Sequence, residues 1–374
     1  MKPYVEKFLL PICTNLLTKQ KIECIPCVDI SVKEWNWLCE YASAHGLMSV
    51  LASYLQTLNM KDAESREVII QWYGQTQQQA LRAQYMQAVA EKLAILMQRK
   101  GLDVMFLKGM CLAQYYPLVE MRLSADIDYY LYGHQKEGLA ALEEVGIRNE
   151  DVEDYHAHAT MNGVRLEMHQ NFMDVDRFGT NAIVENVLCN LAETEGKRYR
   201  CQWLKEDVKN AYRMSPTMNA IFLMRHMMKH FVSEVMTLRM LYDWGLFLMY
   251  ESHEVAWEKV VSLYEQVGMT DFAQRIQYIV IAKLGLPVQA LCPIDPIAGE
   301  MSEKVWRCIL NKTKGRNLTG NPVKIGLMRR YWMLKDKWKY DVAYPKDSYW
   351  KMFFYMALRG VKTINRKRNE TLYR

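Results

Sequence analysis

The chain lacks any apolar run long enough to cross a membrane. A spanning helix needs about eighteen or more apolar residues, and charges break every apolar stretch of these 374 residues sooner. The apolar N-terminal stretch contains Glu6 and Pro11, which favours a packed amphipathic helix over a secretory signal. Internal repeats and low-complexity stretches are also missing. With 50% apolar and 24% charged residues, the composition indicates a globular protein of two or three domains.

The sequence also lacks a cysteine framework. Its nine cysteines are odd in number, scattered and mostly flanked by apolar residues. That distribution is typical of reduced thiols in the cytoplasm rather than of disulfides. Cys24 and Cys27 form the only closely spaced pair, and a structural zinc site would need a second pair. We therefore expect a cytoplasmic protein, with no metal or redox role for this pair.

Charge is distributed unevenly along the chain. Residues 301–374 carry 19 Lys and Arg against 5 Asp and Glu, whereas the whole chain carries 48 against 42. A basic C-terminal quarter is typical of contact with an anionic partner, such as a phosphate-bearing substrate, nucleic acid or a membrane surface. A solvated basic face that screens an acidic body explains the pattern equally well.

Apolar periodicity predicts three regions. Residues 1–100 are helical and end in one long helix over 65–100, stopped by Gly101. Residues 101–200 mix strands with helices, and residues 201–374 are helical again with a basic, aromatic tail. The fold class is therefore α+β, a small mixed sheet flanked by helical regions. The predicted elements are strands at 104–107, 126–131, 157–161 and 164–169, and helices at 110–116, 135–145, 216–230, 234–250, 255–267 and 272–284.

Three carboxylates lie between apolar residues in predicted strands, where they do not stabilise the fold. Asp126 and Asp128 flank an isoleucine in one predicted strand, and Glu167 stands between two apolar residues in another. Because side chains alternate along a strand, Asp126 and Asp128 share a face, about 6–7 Å apart along the backbone. Unpaired carboxylates beside a core are costly. The cluster therefore indicates a bound cation, and a divalent metal is the expected one.

Acids in this arrangement suit phosphoryl transfer. A strand pair of carboxylates joined by a third from a neighbouring strand can hold two Mg²⁺ ions, which accept oxygen ligands and substrate phosphates. At the Lys108-Gly109 corner a strand gives way to a helix, so backbone N–H groups can receive phosphate oxygens. Gly109 would let the phosphates approach closely. Lys108, and Arg122 from the intervening loop, would supply positive charge to a triphosphate.

In this order, the residues resemble the bacterial uncharacterised nucleotidyltransferase family of the DNA polymerase β-like superfamily. The superfamily pattern has serine or glycine after its motif glycine, where this chain has Met110, and a shorter spacing to the first aspartate. The resemblance covers about residues 30–250. It rests on Leu107-Lys108-Gly109, Tyr116, Arg122, Asp126-Ile127-Asp128, Glu167-Met168-His169, a Trp35…Ala42…His45-Gly46 segment, and His226, His230, Arg239 and Asp243.

The resemblance implies Mg²⁺-dependent transfer of a nucleoside monophosphate from an NTP, such as ATP, to a hydroxyl of a small molecule, glycan precursor or protein. Asp126 and Asp128 would bind both metal ions. Glu167 would bind the catalytic ion and lower the pKa of the acceptor hydroxyl. The implied nucleotide-binding residues are Lys108, Gly109, Arg122 and His169. Two other functions fit the same residues: a module that holds a nucleotide without catalysis, and an enzyme that modifies nucleic acid through the basic C-terminal part.

Histidines near the acids have competing interpretations. His169 shares the face of Glu167, where it would contact phosphate, orient the glutamate or make a structural hydrogen bond. His156 and His158 are expected to face solvent, although their strand would also let them reach the cleft.

The helical region leaves further alternatives. His226 and His230 share a helix face but lack further zinc ligands, so a packed polar network with Arg239 and Asp243 is expected, which could frame the acceptor pocket. Aromatic and basic residues alternate over 330–355, as on a nucleic-acid-binding surface. Helical spacing favours core packing instead for Trp350, Phe353, Phe354 and Leu358. The tail over 362–368 could touch phosphates or anionic lipid, or fray.

Overall fold

The computed structural model describes residues 4–20, 30–55, 63–153, 156–233, 235–311 and 322–355. Cys24, Cys27, Leu358 and the tail over 362–368 lie outside these ranges, so what was predicted for them stays a prediction. Among the described helices, none combines the length and the apolar character needed to traverse a bilayer. The seven cysteines within the described ranges carry free thiols.

The N-terminal part is a group of helices around an apolar centre. They are α1 Leu10–Leu17, preceded by a π-helical turn over Val5–Leu9, α2 Val32–Ala44, α3 Met48–Leu55 and α4 Ala63–Arg99. Ser31 and Glu34 form a capping box at the start of α2, a motif that stabilises a helix by about 1 kcal/mol. The long helix predicted over 65–100 is confirmed. It stops where Gly101 adopts a φ of 70°, which glycine adopts without strain.

A mixed sheet follows. In the described part of the chain its six strands are β1 Val104–Phe106, β2 Asp126–Tyr130, β3 Asn149–Glu153, β4 His156–Met161, β5 Val164–His169 and β6 Ala211–Arg213, in the order β3-β4-β5-β2-β1-β6. The pairs β2–β5 and β1–β6 are parallel, and the other neighbours are antiparallel. The hairpin between β4 and β5 is confirmed, since Asn162 and Gly163 both have the positive φ that a two-residue turn requires.

Two strands were not predicted. β3 is nearly all polar and β6 has three residues, so neither shows the apolar alternation that marks a strand. The α+β fold class is nevertheless confirmed, with a mixed sheet between helical regions.

The remaining helices pack on the sheet and form the C-terminal region. They are α5 Gly109–Ala113, α6 Gln135–Glu144, α7 Gly179–Thr194, α8 Pro216–Val232, α9 Leu238–Glu251, α10 Trp257–Val267, α11 Thr270–Tyr278, α12 Glu300–Leu310, α13 Pro322–Lys335 and α14 Lys337–Ala343. The Ser215 hydroxyl caps α8 by accepting the Met218 N–H at 3.2 Å, and Pro216 occupies the first turn, where its missing N–H costs nothing. The helix predicted from residue 234 begins later, at Leu238.

The two faces of the sheet differ in character. Side chains alternate along a strand, so Ile127, Tyr129, Leu166 and Met168 all enter one apolar cluster with α4. The intervening residues of β2 and β5, including the acids, lie on the opposite face. There Asp126, Asp128 and His169 line cavities together with residues of α8.

Core packing of the C-terminal aromatic residues is only partly as predicted. Phe353 packs against the core, but Trp350 and Phe354 are 54% and 61% exposed. Tyr349 and Met352 are the buried members of this helical turn instead. The segment carries apolar residues on more than one face, so periodicity alone does not select the buried stripe.

Candidate active site

The three predicted acids converge on one face of the sheet. Asp126 and Asp128 lie on β2, Glu167 lies on its parallel neighbour β5, and the register places Asp128 beside Glu167. One oxygen from each carboxylate lies within 4.8 Å of the other two. Asp128 is 5% exposed, and Asp126 and Glu167 are partly buried. The alternation expected along the strands therefore produces a compact carboxylate cluster.

Lys108 is in direct contact with this cluster. Its Nζ lies 2.9 Å from Asp128 Oδ1. Its backbone has φ 44° and ψ −133°, a region that costs a non-glycine residue about 1–3 kcal/mol. The next residue, Gly109, has φ 37°, and a Cβ there would lie 3.4 Å from Ser124 Oγ. This strained corner brings the first turn of α5 against the acids.

Two histidines extend the cluster. His169 Nε2 lies 3.0 Å from Asp128 Oδ1 and 3.6 Å from Glu167 Oε1. His156 Nδ1, on β4, lies 3.0 Å from Glu167 Oε1. The expectation that His156 and His158 face solvent is wrong, because they are 8% and 6% exposed. The two histidines pair with His169 and Glu167 and so lie on the face of the sheet that carries the acids, where His156 lines a pocket with Phe222 and Lys229 of α8.

Electrostatics divide the carboxylates into two kinds. Burial alone would raise the pKa of Asp128, but Lys108 and His169 hold it well below its usual range. Burial, and then the Asp128 charge, raise the pKa of Glu167 to about 7 and also raise that of Asp126. The pKa of Lys108 is raised because Asp128 and Glu167 outweigh its burial. Lys108 acts on all three carboxylates, and an added cation would stabilise the ionised forms of Asp126 and Glu167.

The donor atoms fit a hard divalent cation. Asp126, Asp128 and Glu167 offer oxygen atoms only, which are the ligands that Mg²⁺ accepts. A second group that could hold a metal, formed by His156, Glu167 and His169, shares Glu167 and adds two nitrogen donors. Burial lowers the pKa of both histidines, which favours the neutral ring that a metal ligand requires.

A cleft of about 600 Å³ opens from the acids. Asp126 and Asp128 lie on one side with Lys108 and Gly109, and residues of α8 and α9 line the other. Arg82, Arg122 and Arg239 also line it. The volume is in the usual range for a small-molecule site, about 300–1,000 Å³. Carboxylates near guanidinium groups suit a ligand that brings a cation and an anion together.

A family model of uncharacterised nucleotidyltransferases matches residues 31–283. The chain belongs to this family. The match includes the whole sheet, both acid-bearing strands and the helices α8 and α9 that line the cleft. No curated protein and no solved structure shows detectable similarity to the chain. Family membership confirms the resemblance predicted from the motifs and supports nucleotidyl transfer as the general activity.

Arg122 of this nucleotidyltransferase belongs to a closed polar network. Its Nε and Nη2 donate to the two carboxylate oxygens of Asp243 at 2.8 and 2.9 Å, and the Tyr116 hydroxyl donates to Asp243 at 2.9 Å. Its Nη1 donates to the Gly109 carbonyl at 2.8 Å and to Ser124 Oγ at 3.1 Å. Four hydrogen bonds leave at most about one of the five guanidinium donors for a ligand. The network therefore fixes the corner at Gly109.

The network expected for His226, His230, Arg239 and Asp243 is arranged differently. All four residues line the cleft. However, Asp243 pairs with Arg122, and Arg239 donates to the backbone carbonyl of position 123. The two histidine rings lie 4.2 Å apart. The groups of described residues that could hold a metal involve His156, His169 and the three acids, so what was predicted for His226 and His230 stays a prediction.

Sequence reasoning missed three polar residues near the nucleotidyltransferase acids. Arg82 and Lys229 come from α4 and α8, and Ser124 comes from the loop before β2. The two cations lie far from the acids in sequence, so only tertiary packing brings them close. Ser124 had a usable signal, because it stands between Arg122 and Asp126 in the motif segment.

Proposed function

We propose that the protein transfers a nucleoside monophosphate from an NTP to a hydroxyl of an acceptor and releases pyrophosphate. The observation that carries this proposal is the convergence of the Asp126, Asp128 and Glu167 oxygens within 4.8 Å at one side of a large cleft. The strained Lys108-Gly109 corner beside them and the family match support it.

Asp126, Asp128 and Glu167 would hold Mg²⁺, and two ions are expected with the NTP. When bound, Mg²⁺ supplies positive charge for the phosphates and lowers the pKa of the acceptor hydroxyl. His169 holds Asp128 through its Nε2–H. Lys108 keeps Asp128 ionised, so this carboxylate is ready to accept a cation at neutral pH.

The triphosphate would lie against the Lys108-Gly109 corner. Gly109 and Met110 are the first residues of α5, and the N–H groups of a first helical turn have no partner within the helix. Met110 cannot offer the hydroxyl that the superfamily pattern places there. We assign that contact to Ser124, because its Oγ lies beside Gly109. Arg122 holds both groups in place.

The reaction balances without a redox partner. The acceptor oxygen forms a bond to the α-phosphorus, the bond to the bridging oxygen breaks, pyrophosphate leaves with the electron pair, and the hydroxyl proton passes to solvent. The acceptor is a small molecule, a glycan precursor or a protein. The cytoplasm, where NTPs are present and thiols stay reduced, is the proposed setting.

Pyrophosphate release tests the proposal. The full chain is incubated with ATP, GTP, CTP or UTP and Mg²⁺ against a panel of hydroxyl compounds, and calorimetry measures nucleotide binding in parallel. We expect one NTP to bind with Mg²⁺ and to yield pyrophosphate with at least one acceptor class. Tight binding with no pyrophosphate under any acceptor would favour the nucleotide-binding module. Binding of RNA or DNA that weakens steeply with salt would favour the nucleic-acid enzyme.

A further inference from the structure

A second, smaller pocket adjoins the carboxylate cluster on the Glu167 side. Its volume is about 30 Å³, whereas a cavity that holds a single water molecule needs about 10–15 Å³. Lys108 and His226 line both this pocket and the cleft, whereas His156 and His169 line the pocket alone. We call it the basic pocket because four cations line it: Lys108, Arg177, Arg225 and Lys229.

Arg225 shows that the basic pocket is short of negative charge. Its side chain is 1% exposed. Its Nε and Nη2 donate to neutral oxygens, those of Asn181 at 2.9 and 2.7 Å and of Thr180 at 2.5 Å. The Asp347 carboxylate is 3.8 Å away and already accepts from the backbone and hydroxyl of Thr180. Among the described residues, no acceptor is present for Arg225 Nη1.

The other charges point the same way. Burial, and then Lys108, lower the pKa of Lys229 to about 8. Asp174 is the acid among the lining residues, and burial lowers the pKa of His226 well below its usual range. A buried guanidinium without a matched carboxylate is costly, and planar guanidinium groups suit phosphate oxygens. A tetrahedral oxyanion fits both the size and the charge of the pocket.

We propose that the basic pocket binds a phosphate group of the acceptor, so that the acceptor is a hydroxyl compound bearing a phosphomonoester. This inference rests on the proposed nucleotidyl transfer. Of the residues assigned to the triphosphate, Gly109 and Ser124 line the cleft alone, whereas Lys108 lines both the cleft and the basic pocket. His169 lines the basic pocket and lies 3.6 Å from Glu167 Oε1. An oxyanion there would therefore lie next to the acids and to Lys108, on the side of the cluster that Gly109 and Ser124 do not line.

Inorganic phosphate is the first probe. Its binding to the full chain is measured by calorimetry in EDTA, so that no metal recruits it to the carboxylates. We expect Lys229→Met, and independently the partly exposed Arg177→Gln, to weaken phosphate binding at least about tenfold. The matched control is Arg82→Gln, which removes a cation that lines only the cleft, and it should leave phosphate affinity unchanged. No binding, or equal loss in all three variants, would overturn the basic pocket.

A second arm separates the acceptor from the nucleotide. Phosphate is titrated into the chain saturated with a non-hydrolysable NTP and Mg²⁺, and persistent binding is expected. Displacement by the nucleotide would assign the pocket to the triphosphate and overturn the acceptor role. Failure of the proposed function looks different, because NTP binding would then be absent while phosphate still binds in EDTA.

Steady-state kinetics test whether the basic pocket positions the acceptor. Hydroxyl compounds are compared in pairs with and without a phosphomonoester, using pyrophosphate release. We expect the phosphorylated member to be preferred, and Lys229→Met to raise its KM at least about tenfold with little change in kcat. Equal KM values for both members of every active pair would contradict the proposal.

Discussion

Two buried ionic networks line the same cleft, and they differ in how completely their charges are matched. In the first, Arg122 meets both oxygens of Asp243, and Tyr116 adds a further donor. In the second, the Asp128 carboxylate meets Lys108 and His169. Asp126 and Glu167 lie beside it with raised pKa values. The Arg122 network is balanced, and the carboxylate cluster has more acid than base.

This difference separates a network that holds the structure in place from one that is suited to bind a ligand. A balanced pair already has its best partners, so it gains little from a ligand and serves to hold the Gly109 corner. An unbalanced cluster is stabilised by a cation that binds to it, because desolvation and mutual repulsion penalise the ionised form of its carboxylates. Burial and polarity alone would not separate the two networks.

The largest expected effect comes from Asp128→Asn. It removes the carboxylate whose pKa Lys108 and His169 hold well below its usual range, and NMP transfer should fall by at least about a thousandfold, or about 4 kcal/mol. Folding should survive, because Lys108 keeps Asp126 and Glu167 as partners, at a stability cost below about 2 kcal/mol. Pyrophosphate release and urea unfolding measure the two effects. The exposed Glu144, changed to Gln, is the matched control. Full turnover by Asp128→Asn would refute the assignment.

The balanced network should respond in the opposite way. Asp243→Asn leaves the Arg122 guanidinium buried without a matching charge, and such a loss costs about 3–4 kcal/mol of unfolding free energy. Any loss of activity should result from the smaller fraction of folded protein and from the less rigid Gly109 corner. Urea titration at constant m-value measures the stability change. A stable Asp243→Asn protein without activity would mean that Asp243 acts in the chemistry.

Glu167→Gln tests the imbalance through pH. The folded state raises the Glu167 pKa from 4.5 to about 7, so it binds this proton more tightly than the unfolded chain does. The stabilisation is complete below the unfolded pKa and is lost as pH rises through the folded one. In EDTA, the unfolding free energy of the variant relative to the wild type should rise by about 2–3 kcal/mol between about pH 5 and about pH 8. If the difference in unfolding free energy between the two proteins stayed constant with pH, the Glu167 pKa would not be raised in the folded state.

Much of this site was readable from the sequence for a physical reason. The period of two along β2 and β5 fixes which residues share a face, so the meeting of Asp126, Asp128 and Glu167 needed only the two strands to pair. The predicted turn at Asn162-Gly163 set the register of the hairpin that carries Glu167. What was predicted well thus depends on local geometry.

The remainder depends on tertiary packing. His156 is buried on a face of the sheet where it lines a pocket with residues of α8, which lie more than sixty residues further along the chain. The partner of Arg122 was unpredictable, because Asp243 is more than a hundred residues away and competed with the nearby histidines in the motif. Arg225 and the basic pocket had no sequence signal, since their contacts come from α7, α8 and the C-terminal segment.

The smallest expected effect is the difference between alanine substitutions at two glycines. Gly109 has φ 37° and Gly74 lies inside α4 with nothing within 4 Å of an added Cβ. Gly109→Ala should cost about 1–2 kcal/mol of stability, because the left-handed region penalises a Cβ. Gly74→Ala should instead add about 0.5–1 kcal/mol. NTP binding, followed by calorimetry with Mg²⁺, should weaken only in Gly109→Ala, because the new methyl group meets Ser124 Oγ at 3.4 Å. If the two variants bound NTP equally well, the corner fixed by Arg122 would not be the triphosphate site, and the balanced network would have only a structural role.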